Sequence, residues 1–228
     1  MRRLVLAAAC ALMVTPVAAL AEDLVPKLTV TGDGRAAAVP DMATVTLGVT
    51  AEHKEPGAAM NEASRVAGAI LARLDALGIA ARDRQTSDIG LQPVWTDYNS
   101  NRAREITGYV ANNRLTVRVR DLARLGEVLG AVTEDGANRL SGLSFGLQEP
   151  GPVMDDARRD AVADAMAQAR VLAEAAGVGL GAVLSISEAG GGYAPEPMME
   201  MARVSSVPVA AGESVLTARV TMVFALEE

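Results

Sequence analysis

From Lys27 the chain alternates apolar and polar residues with a period of two. Leu28 and Val30 share one face, as do Ala36 and Ala38 past a bend marked by Gly32 and Gly34, and Val45, Leu47 and Val49 repeat the pattern after Pro40-Asp41. Successive side chains of a strand point to opposite faces, so this spacing predicts two half-buried strands, joined by turn chemistry into a hairpin. The period then lengthens. Ala59, Met60, Ala63, Val66, Ala67, Ile70, Leu71, Leu74 and Leu77 form one stripe at helical spacing, opened by Pro56 and closed by Gly78.

Residues 84–96 and 105–120 predict a second strand pair joined by the polar stretch TDYNSNRAR. Asp121 then caps a short helix with Leu122, Leu125, Val128, Leu129 and Val132 on one face. After a strand over 139–148, Pro152 opens a long helix reaching about Ala176, and Gly177 ends it. Ala157, Ala161, Ala165 and Ala169 line its inner face, with Val162, Leu172 and Ala173 beside them, a set small enough to let the helix lie close on a sheet. A strand over 182–188, a long connection from Gly190 to Gly212 and a last strand carrying Val215, Leu216, Val220, Met222, Phe224 and Leu226 complete the chain. The order of helix, glycine, strand, long connection and strand occurs at 57–120 and again at 153–226, a loose internal pseudo-repeat. The elements predict an α+β fold, antiparallel-rich, with its sheet or sheets packed by about three helices.

Composition places this fold in a compartment. The first residues, MRRLVLAAACALMVTPVAALAED, run from two arginines through an apolar stretch to small residues, the order of a cleavable secretory leader over 1–21 with the cut between Ala21 and Glu22. The apolar stretch is shorter than the roughly 20 residues a bilayer span requires. Cys10 is the one cysteine and is lost with the leader, so the 207-residue mature chain (22–228) has neither disulfide nor thiolate. It keeps 19 basic and 28 acidic residues, a net charge of −9. An acidic chain with three Tyr, two Phe and one Trp is a poor partner for nucleic acid, and it offers no polybasic membrane patch.

The chemistry-bearing residues are sparse. His53 is the single histidine, at a predicted strand end, which cannot build the usual zinc sites and reads as solvated. There is no G-x-S-x-G elbow. Asp155, Asp156, Asp160 and Asp164 crowd the start of the long helix, where a cation site or acid/base pair is one reading. Arg158 and Arg159 interleave, and a solvated face complementing the helix dipole is the favoured one. The glycines at Thr31–Gly34 and Gly177–Gly181 lack the strand-to-helix order of a phosphate loop and read as turn and cap glycines. In the 190–212 connection, Met198, Met199 and Met201 could offer thioethers to Cu(I) or serve as oxidation sites, although packing on the fold or on a second subunit is favoured. Trp95, Tyr98 and Tyr109 flank the other long connection and read as edge or interface packing.

VTGDGRAAAVPDMATVTLGV (30–49), ITGYVANNRLTVRVRDL (106–122) and ARRDAVADAMAQARVLAEAAGVGLGAVLSISE (157–188) closely resemble the SIMPL-domain family of bacterial periplasmic proteins. The likeness runs in order over nearly all of the mature chain, as one SIMPL unit over 22–228, with two subdomains related by the pseudo-repeat as an option. It implies periplasmic residence, a homo-oligomer of ring-like or channel-like form, and a link to envelope and oxidative stress. It implies no catalytic residues and no cofactor. Gly32, Gly34, Pro40, Asp41, Gly108, Tyr109 and Asn112 then read as turns and fold-defining contacts. The expectation is a non-enzymatic, self-assembling periplasmic protein. The alternative is a module that captures a small ligand, peptide or copper ion through the 190–212 connection.

Overall fold

In the computed structural model, residues 26–96, 104–189 and 210–228 are described. Strands β1 (Lys27–Ala38) and β2 (Met42–His53) carry the predicted alternation, yet they do not pair. β1 runs antiparallel to β7 (Ser214–Glu227) along its whole length, from Lys27 opposite Ala225 to Ala38 opposite Ser214. β2 lies between β4 (Ile106–Val119) and β5 (Arg139–Gly146). The expected hairpin is therefore wrong, and the physical reason is plain: alternation fixes which face a strand buries, not which strand it bonds. Val39, Pro40 and Asp41 instead carry the chain from one sheet to another. Asp41 is held there by its own N–H donating to the Gly146 carbonyl and by its carboxylate accepting from the Gln148 N–H at 2.7 Å.

The first sheet has the order β3-β4-β2-β5, with β3 spanning Arg84–Trp95 and paired to β4 as the sequence predicts. Helix α1 (Pro56–Ala76) buries Ala59, Ala63, Val66, Ala67, Ile70 and Leu74 against the inward residues Ala43, Val45, Leu47 and Val49 of β2 and Ala111, Leu115 and Val117 of β4. Asp121 accepts from the Ala123 N–H and so caps a short 3-10 turn at Leu122–Arg124, which leads into α2 (Leu125–Glu134). Leu125, Val128, Leu129 and Val132 of α2 complete this core.

The second sheet has the order β1-β7-β6, with β6 spanning Gly179–Ala189, and helix α3 (Gly151–Ala176) lies on it. Ala157, Ala161, Ala165 and Ala169 are fully buried on Val30 of β1 and on Ala218, Val220, Met222 and Phe224 of β7, a core separate from the first. Leu172 departs from the expectation, being 49% exposed, because Ala169 and Ala173 take the inward positions of that turn. Gly177 ends the helix with φ +73°, a left-handed conformation that favours a residue without a Cβ.

β1 is continuous through Gly32 and Gly34, so the expected bend and the turn-glycine reading both fail there. A Cβ on Gly32 would stand 2.8 Å from the Ala165 Cβ, and one on Gly34 would stand 2.8 Å from the Ala161 Cα, with backbone atoms of α3 closer still. These glycines exist because a helix rests on the strand. Gly179 and Gly181 likewise belong to β6, opposite β7, and only Gly177 is a cap. Strand order makes the two halves correspond. β2-α1-β3-β4 gives neighbours β2-β4-β3, and β1-α3-β6-β7 gives β1-β7-β6.

Candidate functional site

The acidic cluster of α3 divides by role. Asp155 pairs with Arg158 at 2.8 Å and Asp156 pairs with Arg159, the i,i+3 surface pairs expected of a solvated face. Asp160 and Asp164 do something else. The Asp160 carboxylate accepts from the Arg35 N–H, and that of Asp164 accepts from the Asp33 N–H, each at 3.0 Å, while the Gln168 amide also donates to Asp164 at 2.8 Å. β1 is an edge strand whose other side is taken by β7, so these are amides that the sheet leaves unpaired. α3 thus closes the β1 edge with side chains. Asp160 and Asp164 keep the solvent-accessible face that the sequence predicts, and they add to it the role of acceptors for backbone amides outside the ladder.

The other sheet borders differ. β6 is exposed along nearly all its length, with Leu184 and Val183 open and Ile186 at 57% exposure. β5 exposes Leu143 and Leu140, the latter at 58%, and β3 exposes Leu91, Trp95 and Ile89, the last at 59%. The bulges between Thr86 and Asp88 and between Val94 and Trp95 interrupt the β3 ladder. No such bulge occurs in the pairing of β1 with β7.

A buried charge pair, invisible to sequence inspection, joins the start of β3 to the end of β4. Asp83 is 5% exposed, and its two carboxylate oxygens accept from Nε and Nη2 of Arg120 at 2.7 Å each. The Arg120 hydrogen bonds hold the Asp83 carboxyl below the usual carboxylate range, against the opposing effect of burial and with added help from the charges of Arg82 and Arg118. Arg120 also donates to the Gln148 side chain at 3.3 Å, and Gln148 donates back to the Arg120 and Asp41 carbonyls. The pair therefore clamps the link that follows β5. Alternating arginines at 118 and 120 were the available signal, but nothing in the sequence tied them to Asp83.

The remaining candidates stand apart from one another. His53 ends β2 in solvent, its Nδ1 accepting from the Glu55 N–H at 3.1 Å. Tyr109 sits opposite His53 and packs on the edge of the first core, and Trp95 is exposed at the end of β3. Asn112 donates to Asp88 at 2.8 Å, a fold contact between β4 and β3. Met198, Met199, Met201 and Tyr98, like the leader and its Ala21–Glu22 cut, lie outside the described residues. Among the described residues, no helix is long and apolar enough to cross a membrane, and no group of three or more His, Cys, Asp or Glu could hold a metal ion.

Comparison with known proteins gives a consistent result. The family model SIMPL, described as a protein of unknown function (DUF541), matches residues 28–224. A 26 kDa periplasmic immunogenic protein of Brucella melitensis is 38% identical over 212 residues, covering 88% of this chain and 85% of that protein. The uncharacterized protein YggE of Escherichia coli K12 is 30% identical over 212 residues, covering 92% of this chain and 85% of its own length.

Proposed function

Because the chain belongs to the SIMPL family, we propose that it is exported to the periplasm, associates there with copies of itself, and supports tolerance of envelope or oxidative stress without catalysing a reaction. Its two sheet-and-helix units serve as subdomains of one domain over 22–228. The observation that carries the self-association is the contrast among sheet borders. β1 is closed by Asp160 and Asp164, whereas β3, β5 and β6 present large apolar side chains beside unpaired ladder positions. An open apolar edge is a template for another strand, and proteins that remain monomeric blunt such edges with charge, proline or cover. Periplasmic residence is supported by the leader pattern and by the printed name of the Brucella relative.

Native mass measurement on the 22–228 chain tests this reading. An assembly of several protomers is expected, and Ile186→Lys combined with Leu184→Lys is expected to reduce it to smaller species with an unchanged circular dichroism spectrum. A wild-type protein that stays monomeric up to several hundred micromolar would refute self-association. For the physiological part, a strain lacking the protein is expected to survive peroxide less well than its parent, and equal survival removes the stress role.

A further inference from the structure

The face of the first sheet turned away from α1 carries one cross-strand row that stands out. Gly48 of β2 lies opposite Arg114 of β4 on one side and opposite Arg139 of β5 on the other. Directly opposed residues of antiparallel strands have Cα atoms about 4.5–5.5 Å apart, so two arginines flank a position with no side chain. The result is a depression of about 260 Å³ floored by Gly48, with Arg114 and Arg139 among its lining and Thr50, Asn112 and Ser141 around it. At roughly 30 Å³ per water molecule, that volume suits a small organic ion with part of its hydration.

Charge singles out this row. The whole chain is acidic, at −7, yet the Arg139 guanidinium makes no hydrogen bond or ion pair among the described residues. Arg114 meets only the Asp88 carboxylate, at a loose 3.6 Å, and that carboxylate is already engaged by Asn112. Thr50, two residues along β2 and so on the same face as Gly48, lines the depression with a hydroxyl, Oγ1, that is buried without a partner and can donate. Nearly all buried polar groups find a partner, so an unfilled hydroxyl donor beside two underused guanidiniums describes a site whose bonds the protein does not itself complete. A guanidinium is a planar fork that matches an oxyanion two bonds at a time.

From this geometry we infer that the open face of the first sheet binds a small oxyanion, a carboxylate or phosphoryl group, between Arg114 and Arg139 over Gly48. The site lies on the open face of the sheet rather than on its ladder edge, although Arg139 belongs to the border strand β5, so anion binding is measured on the protein in whatever oligomeric state it adopts. The chemistry is shared by carboxylic acids and phosphates, and the experiment separates them.

Calorimetric titration of the mature protein with succinate and, separately, with inorganic phosphate, at about 0.1 M chloride to screen diffuse attraction, is the direct measurement. Succinamide is the neutral control. Saturable binding of at least one anion is expected, with amide shifts at Gly48, Arg114 and Arg139 in nuclear magnetic resonance spectra. Whichever anion binds names the class. Arg139→Gln is expected to weaken binding tenfold or more with little change in the thermal melt, since the Arg139 guanidinium makes no hydrogen bond or ion pair among the described residues. Arg139→Lys keeps the charge but loses the fork and is expected to restore only part of the affinity. Asp88→Asn removes the competing carboxylate and is expected to tighten binding. Absence of saturation with both anions, equal binding by Arg139→Gln, or equal binding of succinamide would each overturn the assignment.

Discussion

Replacing Gly34 by alanine tests how closely α3 rests on β1. The new Cβ would lie 2.8 Å from the Ala161 Cα, whereas ordinary contact begins at 3.4 Å, and the Ala157 carbonyl and Ala161 nitrogen are nearer still. All three are backbone atoms, so no side chain can swing aside and the helix must lift. A gap of 0.5–1 Å forfeits roughly a quarter to a half of the dispersion attraction along the lining, and overpacking of this kind costs about 1–3 kcal/mol. Lifting also stretches the bonds from the Asp33 and Arg35 amides to Asp164 and Asp160, worth about 1 kcal/mol each. The sum is about 3–5 kcal/mol, a large share of the roughly 5–15 kcal/mol that holds a domain folded. With a urea slope near 2 kcal/mol/M, the midpoint read by far-ultraviolet circular dichroism should fall by roughly 1.5–2.5 M. Gly68, inside α1 with nothing within 4 Å of a Cβ, supplies the opposite sign. There alanine should stabilise by about 0.5–1 kcal/mol through backbone entropy and helix propensity. A Gly34→Ala midpoint within a few tenths of a molar of the wild type would show that the helix does not seat on that strand, and the close-approach account would be wrong.

Other perturbations separate the remaining claims. Asp160→Ala with Asp164→Ala should cost about 1–2 kcal/mol and, more tellingly, should raise light scattering, because two β1 amides become free to accept a foreign strand. Asp83 has a folded pKa below its unfolded value, so its contribution is complete above about pH 4 and is lost as pH falls through the lower folded value. Asp83→Asn should therefore flatten the acid limb of the stability curve below about pH 4, and an unaltered limb would mean that the pair with Arg120 contributes nothing. Arg120→Gln should be the harsher change at neutral pH, because it leaves the buried Asp83 carboxylate without its partner, and part of the loss should return as acid protonates Asp83.

What could be read before the structure was whatever a single element encodes by its own spacing. The α1 stripe and the alanine ladder of α3 were legible because burial imposes a 3.6-residue period on a helix regardless of what it meets. The pairing of 84–96 with 105–120 was legible because a polar connection joins neighbouring strands. β1 was misassigned because its true partner, β7, lies near the other end of the chain, and alternation carries no address. Asp160 and Asp164 looked like solvated acids and nothing more, because their partners are backbone amides, which have no letter in the sequence. The pair of Gly48 neighbours, Arg114 and Arg139, stayed hidden for a similar reason: a cross-strand row exists only once the register is known.

The pairing of β1 with β7 also sets a timetable. The first sheet, with α1 and α2, occupies the unbroken stretch 42–146, so it can form before the rest of the chain has emerged. β1 precedes it and must wait, since its ladder partner ends at Glu227. Closure of a contact so distant in sequence is slow, and the waiting strand is exposed to capture by other chains for that interval. α3, which arrives earlier than β7 and carries Asp160 and Asp164, can reach β1 first and occupy one of its borders. The two carboxylates then act as an escort for an unfinished sheet, and their loss should slow recovery from denaturant and lower its yield more than it alters the finished protein.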